Sequence, residues 1–368
     1  MKVLHLTSNI KFGGSEQQLI HLVEATSKQN ITNFILCFEN SELVNYKDEI
    51  KGQIVTIPPK KVYSYSTLKR LKNIVKQEKI DLIHIHNGRF ILSFILADIF
   101  LNLKCKAIFS KKDMSRSSSL FSKIKYNYPK IHKTTCVTDA IKKRFEKILF
   151  KKNHHKLVVV RDGINISELE KIKSLNHKID LPNNKIIVGN IANHVRAKGL
   201  KNLILTLDYL VNERNIKNLY FVQIGRKTDL TIELNNLITE KKLDSHILLT
   251  GFLEKGHQYL HQFDYYMMTS ESEGMPLTIL ESFYYQIPVI STNVGGIPEV
   301  IIHKQNGMLS NSGDFKNLGD NLIELIETPN LKNKIIQNGS ELVIKEFNSN
   351  KMAENTIALY EAIISENK

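Results

Sequence analysis

The residues best suited to chemistry lie between Ser270 and Glu299. A β-rich run over Tyr265–Thr269 precedes a polar loop, and Pro276 can occupy the first turn of a helix that continues to about Tyr285. The N-terminus of a helix binds anions because its first backbone N–H groups have no partner within the helix. The pattern therefore predicts an anion site surrounded by the backbone of Gly274, Met275, Pro276 and Leu277.

Two carboxylates accompany this predicted anion site. Glu273 lies in the loop, and Glu281 follows inside the helix. One carboxylate can accept hydrogen bonds from ribose hydroxyls and the other from the hydroxyls of a sugar, while backbone amides hold a diphosphate. The arrangement is thus suited to a sugar nucleotide. A helix-capping glutamate and a solvated glutamate would have the same spacing, so spacing alone leaves both interpretations open.

A second candidate loop lies near the start of the chain, within Asn9–Leu22. Gly13 and Gly14 can turn tightly and expose their amides to an anion, and Ser15 can cap the following helix, which carries Glu16. No G-x-G-x-x-G pattern follows, so nothing here supports a nicotinamide cofactor.

A third candidate is the Lys-Gly pair at Lys198 and Gly199, between a β-rich run that ends near Ala192 and a helical pattern. A lysine is a compact positive charge, which suits a diphosphate. We therefore expect Lys198 to bind phosphate.

These segments together resemble the signature of family 4 of the glycosyltransferases, whose members share the two-domain GT-B fold. The family pattern has four parts, which are E-G-[FLM]-P, a second Glu, P-V-[VI]-[AS]-T and G-G-x-x-E. This chain matches it with EGMPLTILES, QIPVIST and GGIPE. The resemblance implies that Glu281 binds the ribose hydroxyls and that Glu273 contacts the transferred sugar. It also implies that the loop containing Gly13 and Gly14 faces the donor phosphates and the acceptor.

This chain departs from the family pattern in front of Lys198. Family members carry an Arg there, commonly five residues before the Lys, whereas position 193 is Asn in this sequence. Arg196 is the nearest arginine, and it can either bind the diphosphate or remain a solvated loop cation.

The acceptor side is less well defined by the sequence. After the run Ala107–Phe109, where many family members have a His, this chain has Ser110 followed by Lys111, Lys112 and Asp113. Asp113 can orient an acceptor hydroxyl and the lysines can receive a lipid diphosphate, or the segment is a basic surface turn. His86 ends the run DLIHIH and can approach the site, although a hydrogen-bonded core histidine fits this position as well.

Alternating strand and helix patterns predict an α/β chain with two Rossmann-like, doubly wound parallel sheets that face a central cleft, as in GT-B. We expect an N-terminal acceptor-side domain over 1–165, completed by a C-terminal helix within 350–368, and a nucleotide-sugar domain over 166–349. A polar, Lys-rich stretch between Asp162 and Pro182 is interpreted as the linker between the domains.

Composition excludes several classes of protein. The 368 residues are 42% hydrophobic and 24% charged, which excludes a disordered or fibrous chain. The 3 cysteines have no paired spacing, so they predict neither a disulfide framework nor a zinc site. No export signal is visible, and the longest apolar stretch, Phe90 to Leu103, is too short to span a bilayer. We therefore expect a cytoplasmic protein.

The net charge of +14 is unevenly distributed. Residues 1–180 contain 33 Lys and Arg against 16 Asp and Glu, so all of the excess lies in the first half. Such a charge attracts phosphate-bearing partners. Within this half, the segment Ile141–Phe150 reads as a basic amphipathic helix, which fits either an anionic inner-membrane surface or an ordinary helix packed on its own core. No nucleic-acid-binding module is recognisable, and we expect no nucleic-acid partner.

The sequence therefore predicts a retaining glycosyltransferase that uses a nucleoside-diphosphate sugar, with UDP-sugars favoured over GDP-sugars. The expected acceptor is a saccharide or a lipid-linked saccharide in bacterial surface polysaccharide assembly. We expect no cofactor and no required metal ion, since amides and Lys198 can neutralise the leaving diphosphate. Two alternatives stay open: a nucleoside-diphosphate-sugar 2-epimerase with the same fold, and a non-enzymatic polyanion-binding protein.

Overall fold

The computed structural model describes residues 1–59, 61–114, 119–173 and 178–365. The chain divides into two compact units, which are Met1–Ile164 with Asn348–Lys368, and Asn165–Phe347. Each unit is built around one parallel β-sheet with its own core.

The first unit contains a seven-stranded sheet in the order β3-β2-β1-β4-β5-β6-β7. Its strands are β1 (Lys2–Leu6), β2 (Thr32–Phe38), β3 (Gln53–Ile57), β4 (Leu82–Ile85), β5 (Lys106–Lys111), β6 (Ile131–Cys136) and β7 (Leu157–Val159). Its helices are α1 (Gly14–Ser27), α2 (Tyr65–Gln77), α3 (Gly88–Leu101), α4 (Leu120–Tyr126), α5 (Asp139–Glu146) and α12 (Ser349–Ser365). Helices on a parallel sheet cover its faces, which explains why the strands read as nearly continuous apolar runs.

The second unit contains a six-stranded sheet in the order β10-β9-β8-β11-β12-β13. Its strands are β8 (Ile186–Ile191), β9 (Leu219–Ile224), β10 (Ile247–Gly251), β11 (Tyr265–Met268), β12 (Val289–Thr292) and β13 (Met308–Ser310). Its helices are α6 (Ile166–Lys173), α7 (Leu200–Asp208), α8 (Leu230–Glu240), α9 (Leu277–Tyr284), α10 (Phe315–Glu327) and α11 (Pro329–Glu346). Both sheets reverse their strand order next to the first strand of the unit, as expected for a doubly wound fold.

The last helix of the chain belongs to the first unit. α12 packs against α1, and its buried side chains join β-strand residues of the first sheet in one apolar cluster. Tyr360 and Ile363 are fully buried in that cluster together with Val3 and Leu82.

The stretch from Asp162 to Pro182, which the sequence indicates as the linker, includes the junction between the two units at Ile164 and Asn165. It also contains α6, whose Leu169 is buried, so part of it is regular structure. Of the two interpretations of the basic segment Ile141–Phe150, the helix packed on its own core is confirmed. The segment overlaps α5, and its apolar stripe is buried within the first unit. The buried side chains of this stripe are Ile141, Phe145, Ile148 and Leu149.

Across the described residues, no helix combines the length and the apolar content that are needed to cross a bilayer.

Candidate functional site

In the second unit, the predicted donor-binding residues follow the two strands at which the strand order reverses. β8 and β11 are neighbours at this point, and Lys198 follows β8 whereas Glu273 follows β11. In open α/β sheets, ligands bind beyond the carboxyl ends of the strands at such a switch point. The topology therefore brings together two residues that are 75 positions apart in the chain.

Lys198 and Glu273 form the centre of this site. The Nζ of Lys198 lies 2.6 Å from Oε1 of Glu273, and the Ser270 hydroxyl donates to the same oxygen at 2.6 Å. The Glu273 side chain is 9% exposed and that of Lys198 29%. The carboxylate is thus largely desolvated but paired, and the ammonium group keeps access to solvent, from which an anion can approach it.

Two glycines allow the loops of this site to approach each other. Gly199 and Gly295 both have a φ of +58°, in the left-handed region that favours glycine. A Cβ on Gly199 would lie 2.1 Å from the carbonyl oxygen of Thr269, and one on Gly295 would lie 1.9 Å from that of Glu273. Because both contacts are with backbone atoms, no side-chain movement can relieve them.

The helix that follows Glu273 is α9, and it begins one residue later than its proline suggests. Pro276 is the N-cap residue rather than the first helical residue, and no side chain caps this terminus. The N–H groups of the first turn therefore have no capping side chain. Gly274, Met275 and Leu277 are buried around the same terminus, and the binding of an anion there stays a prediction.

Glu281 lies in the middle of α9 and is 1% exposed. The Nδ1 atom of His257 lies 3.8 Å from its Oε1, and His257 belongs to a short 3-10 turn over Gly256–Gln262. The Nε2 atom of His257 is buried and receives no hydrogen bond from any residue the structure describes. Sequence reasoning missed His257, since nothing in its local pattern connects it to a carboxylate on another helix.

Arg196 lies in the exposed 3-10 turn Arg196–Lys198, and among the described residues its guanidinium forms no ion pair. Asn193, at the position where the family has an Arg, accepts a hydrogen bond from the backbone N–H of Arg226 at 2.9 Å. The assignment of Arg196 as a phosphate ligand stays a prediction.

In the first unit, the paired glycines and His86 follow β1 and β4, the strands at the switch point, whereas Asp113 follows β5. The expected tight turn at the paired glycines is not formed. Gly13 has an extended backbone with φ −162°, and a Cβ added there would meet nothing closer than 3.8 Å. Gly13 is the N-cap residue of α1 and Gly14 is its first residue, so Ser15 lies inside the helix and does not cap it.

Glu16 is buried behind this loop. Its Oε1 accepts hydrogen bonds from the Asn9 amide at 2.5 Å and from the Thr7 hydroxyl at 3.5 Å. Burial raises the pKa of the Glu16 carboxyl above its ordinary value, and the hydrogen bond from Asn9 opposes this effect. The carboxylate therefore connects α1 to the loop that follows β1.

His86 directly follows β4 and is 8% exposed. Its Nε2 lies 2.9 Å from Nδ1 of His5, whereas its Nδ1 is buried and receives no hydrogen bond from the described part of the chain. Burial, reinforced by the neighbouring His84, His5 and Lys112, lowers the pKa of His86 well below its ordinary value. The imidazole is therefore neutral near pH 7.

Asp113 and the two lysines before it are paired with one another and with a further carboxylate. The Asp113 side chain is 69% exposed and accepts from Lys111 Nζ at 2.5 Å. Lys112 Nζ lies 3.5 Å from Asp162, and both side chains are largely buried. Because both ammonium groups face carboxylates, a lipid diphosphate would have to displace these partners before it could bind the lysines.

The chain matches two family models, which together account for most of its length. Residues 12–168 match the model described as Glycosyltransferase Family 4, and residues 171–342 match Glycosyl transferases group 1. Among curated proteins, an uncharacterized glycosyltransferase of Methanocaldococcus jannaschii is 25% identical over 346 residues, covering 91% of each chain. The O-antigen biosynthesis glycosyltransferase WclY of Escherichia coli is 24% identical over 309 residues, covering 80% of each.

Solved structures share the fold over the whole chain. A glycosyltransferase from Rickettsia africae superposes with a TM-score of 0.86 at 21% identity, covering 100% of this chain and 99% of that one. HepE of Anabaena in complex with UDP and glucose superposes with a TM-score of 0.84 at 18% identity, covering 98% of this chain and 100% of that one.

The two parallel-sheet units and these matches define a glycosyltransferase with the GT-B architecture. The chain belongs to family 4 of the glycosyltransferases.

Proposed function

We propose that this enzyme transfers a sugar from a nucleoside-diphosphate sugar, with a UDP-sugar as the first candidate and a GDP-sugar as the second, to a saccharide or lipid-linked saccharide. We further propose that the anomeric configuration of the sugar is retained and that the product belongs to a bacterial surface polysaccharide. The observation that carries this proposal is the Lys198–Glu273 pair at the N-terminus of α9, with Glu281 buried farther along the same helix.

The roles proposed for the donor-side residues follow from their chemistry. Lys198 leaves Glu273 and neutralises the diphosphate, with the backbone of residues 274–277 as additional ligands and Arg196 as a second cation. Glu273 is then free to accept hydrogen bonds from the transferred sugar. Glu281 accepts hydrogen bonds from the ribose hydroxyls, and His257 lies beside its carboxylate.

On the acceptor side, we propose His86 and Asp113 as the groups that contact the acceptor, with Gly13 and Gly14 forming the loop that faces both substrates. His86 offers a neutral ring nitrogen and Asp113 an exposed carboxylate, and both can accept a hydrogen bond from a hydroxyl.

The relatives support the choice of pathway. WclY is described by its role in O-antigen biosynthesis, and CapM of Staphylococcus aureus, which matches 55% of this chain, by capsular polysaccharide biosynthesis. HepE was crystallised with UDP and with UDP-glucose, which supports a UDP-sugar as the donor to try first.

We propose that no metal ion is required, because the positive charge at the diphosphate is supplied by Lys198 and the helix N-terminus. Transfer rates should be equal in EDTA and in Mg²⁺. A rate that disappears in EDTA and returns with Mg²⁺ would contradict this part of the proposal.

We also propose that the enzyme works at the anionic inner face of the plasma membrane, where lipid-linked acceptors are presented. The excess of basic residues in the first half supports this location, and so does an exposed apolar face on α4.

The experiment that tests the donor assignment is a thermal-shift panel with UDP, GDP and ADP and their common sugar conjugates. A ligand at about 100 times its Kd stabilises the folded state by about 2.7 kcal/mol, which raises the Tm by a few degrees. We expect a shift with one nucleotide family in the wild type and none in Glu281→Ala. Glu271→Ala is the matched control, because Glu271 is an exposed glutamate of the same loop.

Transfer itself is measured with the nucleotide sugar that this panel selects and a panel of octyl glycosides as acceptors. Glycoside formation that depends on the acceptor supports the transferase, and product NMR determines whether the anomeric configuration is retained. Conversion of the nucleotide sugar to its epimer without an acceptor would instead support the 2-epimerase. A shift with every polyanion that vanishes at high salt would contradict a specific donor site.

A further inference from the structure

A row of buried polar side chains crosses the sheet of the first unit and ends at His86. Asn33 on β2 contacts His5 on β1, with 3.0 Å between the Asn33 Oδ1 and the His5 Nε2 atoms. His5 in turn contacts His86, with 2.9 Å between Nδ1 of His5 and Nε2 of His86. All three side chains are at least nine-tenths buried, so water does not compete for these contacts.

The orientation of the Asn33 amide is determined by its surroundings. Its Nδ2 lies within 3.3 Å of two backbone carbonyl oxygens, those of Val23 and Ile31, and within 3.1 Å of the hydroxyls of Thr26 and Ser27. Carbonyl oxygens only accept hydrogen bonds, so a flipped amide would put oxygen against oxygen. The atom that faces His5 is therefore the acceptor Oδ1.

This orientation determines which ring nitrogens carry protons. Because Oδ1 of Asn33 can only accept, Nε2 of His5 must be the protonated nitrogen. Burial lowers the pKa of His5 to about 4, so the ring is neutral near pH 7 and its Nδ1 has a lone pair. The Nε2 of His86 must then donate to that lone pair. Since His86 is also neutral, its own Nδ1 is left as an acceptor.

The Nδ1 atom of His86 lacks a hydrogen-bond partner among the described residues, whereas the ring nitrogens of the neighbouring His84 have partners. Both ring nitrogens of His84 have partners, the hydroxyls of Tyr360 and Ser110, each at 2.6 Å. The Nδ1 of His86 is buried and receives no hydrogen bond from the residues described. A buried acceptor without a partner has lost its hydrogen bonds to water without compensation, so it requires an explanation, and a role at a functional site is one.

A metal ion shared by the three histidines does not account for this atom. One nitrogen from each of His5, His84 and His86 lies within 4.8 Å of the others. However, the rings of His84 and His86 are stacked, with 4.1 Å between centroids and 29° between planes. In addition, both ring nitrogens of His84 are occupied by the Tyr360 and Ser110 hydroxyls and those of His5 by Asn33 and His86, so neither ring has a lone pair left for an ion.

We propose that Asn33 and His5 are positioning residues that hold His86 as its Nε2–H tautomer, so that its Nδ1 accepts a hydrogen bond from a hydroxyl of the acceptor substrate. This inference rests on the proposed function, in which His86 contacts the acceptor. The hydrogen bond orients the hydroxyl and adds no proton-transfer step. Asn33 and His5 themselves touch no substrate.

The direct test is the ¹⁵N NMR spectrum of wild-type enzyme labelled at histidine, with the His86 signals identified from a His86→Gln sample. Protonated and unprotonated ring nitrogens have well-separated ¹⁵N shifts. We expect a protonated Nε2 and an unprotonated Nδ1 near pH 7. A proton on Nδ1 of His86 would overturn the inference, and this measurement needs no substrate.

Two substitutions at Asn33 test whether the tautomer matters for transfer. Asn33→Leu removes the acceptor for His5, and we expect mixed tautomers at His86. Asn33→Asp, as the protonated acid, keeps an acceptor oxygen toward His5 and a donor toward the Val23 and Ile31 carbonyls, so it should restore the tautomer. Tyr360→Phe is the matched control, because it removes a hydrogen bond from His84 and leaves the Asn33–His5–His86 contacts in place.

Kinetics are then measured with the donor and acceptor selected above. For Asn33→Leu we expect kcat/KM for the acceptor to fall about tenfold, the value of one hydrogen bond of ordinary strength, with the donor KM unchanged. Asn33→Asp should recover most of this loss. An equal loss toward both substrates, or no recovery when the tautomer is restored, would overturn the inference.

Failure of this inference differs from failure of the proposed function. If no donor and acceptor pair reacts while His86 has the expected tautomer, the proposed function is wrong and the tautomer assignment stands. If transfer occurs while Nδ1 of His86 carries the proton, the proposed function stands and the positioning role is wrong.

Discussion

At the scale of single residues, the proposed donor site is an arrangement of side chains whose charges are already paired with each other. Lys198 faces the carboxylate of Glu273, which the Ser270 hydroxyl also contacts. A diphosphate can replace one set of negative oxygens with another without leaving the lysine unpaired. Contacts within the protein therefore hold the ammonium group in position for a phosphate.

We predict that Lys198→Met weakens the binding of UDP by about tenfold or more, because a hydrogen bond to a charged group contributes about 1.5–3 kcal/mol. Uridine, which has no phosphate, should bind the variant and the wild type equally. Isothermal titration with both ligands measures the difference. Lys201→Met is the control, since Lys201 is exposed on the adjacent helix α7. Equal losses for UDP and uridine would show that Lys198 does not act on the phosphates.

The buried histidines make the stability of the first unit depend on pH. Burial lowers the pKa of His5 from 6.5 to about 4, whereas in the unfolded chain the ring takes up a proton near pH 6.5. Between these pH values the unfolded state binds more protons, so the free energy of unfolding falls as the pH falls. For one group, the free energy of unfolding changes by about 1.4 kcal/mol per pH unit in this range. Protonation of His5 in the unfolded chain therefore lowers the free energy of unfolding by on the order of 3 kcal/mol between pH 6.5 and 4.

Urea denaturation at pH 7, 6 and 5 tests this dependence on pH. The wild type should lose stability steadily over this range, and His5→Gln should lose less, because glutamine does not titrate. Identical slopes for the two proteins would mean that another group causes the acid sensitivity.

At the scale of secondary-structure elements, the loops at the carboxyl ends of the strands determine where the charged side chains lie.

We predict that Gly295→Ala abolishes the UDP-dependent rise in Tm, because the added Cβ would meet the Glu273 carbonyl oxygen at 1.9 Å. Gly313→Ala is the matched control. Gly313 also has a positive φ, of +85°, but nothing lies within 4 Å of its Cβ position. Gly313→Ala should therefore lose only about 1–2 kcal/mol of stability to backbone strain, and its Tm should still rise with UDP. A normal UDP response in Gly295→Ala would contradict the role assigned to this loop contact.

The element that we expect to contact the membrane is α4 rather than α5. Leu120, Phe121 and Ile124 are 73%, 57% and 59% exposed on this helix, whose last turn contains Lys123 and Lys125. Exposed apolar side chains beside lysines favour an anionic bilayer.

We predict that serine at all three apolar positions of α4 abolishes flotation with vesicles containing phosphatidylglycerol at moderate salt. Ile232→Ser, an exposed isoleucine on α8 of the second unit, should float as the wild type does. If the triple variant still floats with anionic vesicles, the basic charge alone accounts for binding. If neither protein floats, the membrane location is wrong.

At the scale of the whole molecule, the two ends of the chain form one unit. Tyr360 on α12 donates to or accepts from His84 at 2.6 Å, across 276 positions of sequence. We predict that Tyr360→Phe lowers the free energy of unfolding by about 1–3 kcal/mol, because a buried ring nitrogen loses its partner. Tyr65→Phe, at a 68% exposed tyrosine, is the control for urea denaturation. Equal stability of both variants would mean that the buried hydrogen bond contributes nothing.

Much of the fold could be predicted from periodicity, because strands buried on both faces are continuous apolar runs. The β-rich run predicted over Tyr265–Thr269 corresponds to β11, which ends one residue earlier, at Met268. β6 reads IHKTTC and was missed, since its polar residues hide the strand pattern. β7 and β13 contain only 3 residues each, too few to show any period. The helix α6 was missed within a lysine-rich stretch that resembles a linker.

The sequence by itself determined the alternation of strands and helices and the family, and it predicted the donor-side residues around Glu273, because each of these depends on residues close together in the chain. Only the tertiary structure decided which distant side chains meet. It paired Lys198 with Glu273, placed His257 beside Glu281, and connected Asn33 through His5 to His86. Burial, hydrogen-bond partners and the protonation of a ring nitrogen arise from contacts between strands and helices that are far apart in sequence, and no local pattern encodes them.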